Sequence, residues 1–77
     1  MRRLPAKEGL TKALNFLSDP TPKHLRMASA AIFLSDGEVK KPPLLLLMAH
    51  IGFSENEVRA QKIDHMKEKL KELLAKL

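Results

Sequence analysis

Asp36, Glu38, Asp64 and His65 carry the oxygen and nitrogen atoms that a metal ion takes as ligands. Their spacing matches neither an EF-hand loop nor a zinc site. Asp36-Gly37-Glu38 also reads as a turn followed by a helix-capping glutamate, so no metal or other cofactor is expected. Nucleophilic or acid–base catalysis has little to draw on. The chain has no cysteine and no tyrosine, and His24, His50 and His65 show no HxxxH spacing. His50 instead falls in the last turn of an expected helix, where a protonated imidazole suits the negative dipole end. The chain is therefore expected not to be an enzyme, and the chemistry left to it is binding. Fourteen Lys and Arg against nine Asp and Glu give a net charge of +5, which favours an acidic partner.

Where the charge lies narrows the choice. Residues 1–41 hold eight basic and four acidic side chains, and residues 42–77 hold six and five. Arg2, Arg3, Lys7, Lys12, Lys23, Arg26 and the Lys40-Lys41 pair are thus the expected phosphate contacts if the ligand is nucleic acid. Three phenylalanines are the whole aromatic content, which weakens any scheme in which bases stack on an aromatic platform. A membrane is not an expected partner. The longest apolar run, Leu44–Ala49, is far short of the roughly 20 residues a spanning helix needs. Glu8 and Gly9 also interrupt the basic amphipathic stretch nearest the N-terminus. Met1-Arg2-Arg3-Leu4-Pro5 is followed by no apolar run of signal-peptide length, so a cytoplasmic location is expected.

The elements that position these groups are announced by a repeated phrase. Leu34–Lys41 reads LSDGEVKK and Phe53–Ala60 reads FSENEVRA. Each is a helix-start signal. Ser35 and Ser54 take the N-cap position, Glu38 and Glu57 complete a capping box, and Leu34/Val39 and Phe53/Val58 form hydrophobic staples. On this reading Ser54→Ala costs about 1 kcal/mol and Ser35→Ala less. The second copy runs on through good helix formers to Leu77, whereas the first meets Pro42-Pro43 and stops after about one turn. Upstream, Leu10, Ala13, Leu14 and Leu17 make an i, i+3, i+4, i+7 stripe. Thr21 caps the next helix with Pro22 at its first position. Leu44–Met48 is apolar all round, which predicts a third helix at the buried centre, ended by Gly52.

The expected fold is all-α, one helical domain over residues 1–77. It has four helices near 5–18, 22–34, 43–51 and 55–77, a short extra turn after the second and a long last helix. The expected core is Leu14, Leu17, Leu25, Ile32, Leu46, Leu47, Ile51, Val58, Ile63, Met66 and Leu70.

Leu47–Val58, LMAHIGFSENEV, resembles the central stretch of a helix-turn-helix motif. A glycine makes the turn, and flanking apolar residues lock the two helices together. The resemblance implies that Asn56, Arg59 and Lys62 face bases or phosphates. Met48 stands where alanine is usual, Gln61 where an apolar residue is usual, and Glu55 and Glu57 would approach phosphates.

The last helix carries Ile63, Met66, Leu70, Leu73 and Leu77 at 3, 4, 3, 4 spacing, widened by Leu74. A symmetric parallel coiled coil is disfavoured, because Lys62 would face Lys67 of the second chain; an oligomer of another kind stays open. The leading expectation is a small non-enzymatic DNA-binding or regulatory protein. The alternative is a helical interaction module that engages an acidic protein surface through Met66, Leu70, Leu73, Leu74 and Leu77.

Overall fold

The computed structural model describes residues 3–37 and 39–77. Its four helices are α1 (Ala6–Leu17), α2 (Pro22–Leu34), α3 (Lys41–Phe53) and α4 (Asn56–Lys76). Each packs on two others: α1 on α2 and α4, and α3 on α2 and α4. Three buried side chains per helix fill the centre, with Leu10, Ala13 and Leu17 meeting Ala28, Ala31, Ile32, Leu44, Met48, Ile51, Ile63, Met66 and Leu70.

The first two helices form as their sequences dictate. Thr21 Oγ1 accepts the His24 N–H at 3.1 Å, and Pro22 opens α2 where no N–H is needed. The seam between α1 and α2 is floored by small residues. A Cβ on Gly9 would overlap Ser35 Oγ and lie 3.0 Å from the Ala31 carbonyl oxygen, so only glycine fits there.

Among the described residues between α2 and α3 none is helical, where an extra turn was expected. Ser35 is fully buried and its hydroxyl donates back to the Ala31 carbonyl at 2.7 Å, so it caps nothing downstream. Leu4 and Ser35 form a parallel bridge, with Leu4 N–H donating to Leu34 O at 3.0 Å and Asp36 N–H to Leu4 O at 2.8 Å. Gly37 then takes a φ of 94°, which no right-handed helix accommodates. Pairing with the segment before α1 satisfies more backbone than one isolated turn would, and the turn loses. Glu38, the capping-box partner expected here, lies outside the described residues.

The α3–α4 corner corrects the reading of the second copy. The helix runs through Gly52 to Phe53 without a left-handed residue. Ser54 is its C-cap, donating its hydroxyl to the His50 carbonyl at 2.6 Å. Glu55, with no side-chain hydrogen bond, holds the N-cap position of α4. Only two residues separate the helices, so the serine satisfies an orphan carbonyl of the helix that ends in place of an N–H of the helix that begins.

The third helix is a wall of the molecule and not its centre. Leu44, Met48 and Ile51 face inward, while Leu46 is 59% exposed and Phe53 92%. Val58, expected to staple onto Phe53, is 47% exposed. An all-apolar helix has no polar side to declare which way it faces, and α3 has neighbours only in α2 and α4. Leu14, Leu25 and Leu47 are partly buried against the core, and of the expected set Leu17, Ile32, Ile51, Ile63, Met66 and Leu70 lie inside it.

Candidate partner-binding cleft

Helices α3 and α4 are consecutive and pack together, so the first turn of α3 lies beside the last turns of α4. Lys40, Pro43 and Leu44 from one side and Lys69, Glu72, Leu73 and Lys76 from the other enclose a cleft of about 380 Å³. The α4 contribution follows helical geometry: residues 69, 72, 73 and 76 are three, four and seven apart and share one face. Leu44 is buried and Leu73 half-buried, giving the cleft an apolar floor. Three lysines and one glutamate complete its lining.

The residues singled out in the sequence reach quite different places. Lys40 and Leu73 come together in this cleft. Lys41 does not join them; its Nζ donates to the Phe33 carbonyl at 2.8 Å and lies 5.9 Å from the centre of the Phe33 ring, closing the end of α2. Arg3 is exposed and 3.5 Å from Asp36, and Arg2 lies outside the described residues. Met66 and Leu70 are fully buried in the chain's own core, Leu74 is half-buried, and Leu77 is exposed. The seam of α4 is therefore intramolecular over most of its length.

Arg59 has a structural task. Its Nε donates to the Ile51 carbonyl at 3.2 Å and its terminal nitrogen to the Ser54 carbonyl at 2.6 Å, so the guanidinium caps α3. Asn56 and Arg59 line a second cleft of about 400 Å³ with Leu17, Ser18, Pro20, Ala60, Ile63, Asp64 and Lys67. Lys62 is half-buried and does not line it. A third hollow, about 560 Å³, is bounded by the six consecutive residues Ser54–Arg59, so no second helix face converges on it. Because Phe53 points to solvent, α3 and α4 lack the apolar lock of the helix-turn-helix motif at that position.

Among the described residues no three His, Asp or Glu side chains converge. His24 Nδ1 donates to the Asp19 carbonyl at 2.6 Å and its ring lies 5.5 Å from Phe16, binding the α1–α2 turn. Among the same residues no helix is long and apolar enough to cross a membrane.

Lys69 and Lys76 were not singled out in the sequence, which drew attention to the apolar stripe of α4. The available signal was the seven-residue spacing of two lysines around Leu73, a pattern that many solvated helix faces share. No protein-family model, characterised protein or solved structure matches the chain.

Proposed function

We propose that this chain is a non-enzymatic helical interaction module that seats an acidic, amphipathic segment of a protein partner in the cleft between α3 and α4. One observation carries the reading: Lys40, Lys69 and Lys76 surround an apolar floor made by Leu44, Pro43 and Leu73. An acidic amphipathic helix presents carboxylates and aliphatic groups together, and so matches both parts of the cleft. Duplex DNA is the other anionic ligand that the lysines suit, but phosphates bring no apolar group to Leu44 and Leu73.

A fluorescent synthetic Glu/Leu amphipathic peptide and a duplex oligonucleotide, each titrated across a salt series, test the reading. Lys69→Glu with Lys76→Glu should weaken peptide binding about tenfold, since exposed charge pairs contribute roughly 0.2–1 kcal/mol each and reversal replaces attraction by repulsion. Glu72→Gln should strengthen it. Steeply salt-dependent DNA binding in the absence of peptide binding would favour the DNA-binding reading.

A further inference from the structure

We infer that Glu72 makes the α3–α4 cleft selective, taking acidic helices that carry one Lys or Arg between two carboxylates seven residues apart; this rests on that cleft being the binding site proposed above. Lys69, Glu72, Leu73 and Lys76 lie at i, i+3, i+4 and i+7 of α4 and line the cleft together. By helical rise the two lysines stand about 10 Å apart along the axis, with Glu72 and Leu73 between them. Lys40, Pro43 and Leu44 complete the cleft from α3. Three cations and one anion leave its lining at +2, so it favours an acid overall yet holds one group that an acid must avoid.

Glu72 is left open to a partner. It is one turn from Lys69 and one turn from Lys76, and a glutamate four residues before a lysine is the order that pairs best on a helix. Among the described residues the ion pairs are nevertheless Arg3–Asp36, Lys12–Glu8, Lys71–Glu68 and His24–Asp19, and none includes Glu72 or a cleft lysine. Glu72 is exposed, as are Lys40, Lys69 and Lys76. A docked segment must therefore answer each of these charges. A carboxylate opposite Glu72 is repelled, and an apolar side chain there takes water from the charge without supplying a partner. A Lys or Arg turns the same position into an ion pair. The flanking carboxylates then meet Lys69 and Lys76, and an aliphatic residue beside the cation meets Leu73 and Leu44.

Two fluorescent helical peptides of identical composition test this. Each has glutamates at i and i+7 and a leucine at i+3 or i+4. In the first peptide a single lysine fills the other of those two positions; in the second it sits on the opposite face. Both leucine placements are synthesised, since they correspond to the two directions in which a helix can lie. The peptides share one net charge, so only the place of the lysine differs. The wild-type chain should bind the first peptide about threefold more tightly in one of the two directions, the change expected of one exposed ion pair. Glu72→Gln should make the two affinities equal, and Glu72→Lys should reverse their ranking. Because Glu72 is exposed, both variants should keep the wild-type melting temperature. Equal affinities in the wild type for both leucine placements, or a preference that survives Glu72→Gln, overturn the selectivity while leaving the cleft as the binding site. Failure of these peptides and of the Glu/Leu peptide to bind overturns both proposals at once.

Discussion

Ser35 and Ser54 occupy the same place in a repeated phrase, yet one is sealed in the core and the other stands at an exposed corner. Each donates to the carbonyl four residues back. Removing the buried hydroxyl leaves a buried carbonyl with one partner fewer, which costs about 1–2 kcal/mol. Removing the exposed one lets water replace it, at roughly half a kcal/mol or less. Urea denaturation of Ser35→Ala and Ser54→Ala should therefore rank them in the reverse of the order that N-capping predicts. Gly9→Ala tests the same site from the other helix. Alanine in a helix is worth about 1 kcal/mol over glycine, but here its methyl group would overlap Ser35 Oγ and press on the Ala31 carbonyl. Overpacking of about 1–3 kcal/mol should win, so the variant is less stable, and Ser35→Ala should relieve part of the loss in a double-mutant cycle. Arg59→Ala should cost about 1–2 kcal/mol by freeing two carbonyls at the end of α3, seen as a lowered denaturation midpoint. A base-reading arginine on an exposed helix face would show no such loss.

Helices were legible wherever a pattern had contrast. The apolar stripe of α1, the Thr21-Pro22 start of α2 and the uninterrupted run of α4 each place a helix within a residue or two of where it lies. Burial was legible by the same means for Leu17, Ile63, Met66 and Leu70, whose neighbours on the opposite faces are polar. Contrast is what α3 lacks. Leu44 and Leu46 are the same residue type two positions apart, yet one is buried and the other exposed, and only the placement of α2 and α4 distinguishes them. The capping signals failed for a related reason: Ser-x-x-Glu describes what a helix start would use, while the long-range Leu4–Ser35 bridge and the reach of Arg59 to Ile51 decide what happens. The cleft was half legible, since Lys40 and Leu73 were singled out but only folding brings α4's Lys69 and Lys76 beside α3. At this scale the expected outcome is an asymmetry within α3. Met48→Ala should cost about 2–4 kcal/mol through a cavity, whereas Leu46→Ser should change the unfolding free energy by no more than about 0.5 kcal/mol, both read by urea denaturation.

The whole molecule measures 32 × 26 × 20 Å, and α4, about 31 Å long by its helical rise, is about as long as its longest dimension. Its first half supports the core through Ile63 and Met66, and its last two turns, with the start of α3, form the basic cleft. The outward side of α3 is left apolar. The cleft shares Leu44 with the core, but its lysines are exposed, which lets binding be perturbed without unfolding. Chemical-shift mapping on the ¹⁵N-labelled chain, with the Glu/Leu peptide added stepwise, tests the central claim most directly. The account predicts that the amide shifts gather at Lys40, Leu44, Lys69, Leu73 and Lys76. Shifts gathered instead at Asn56, Arg59 and Lys62, or spread over no contiguous surface, would contradict it.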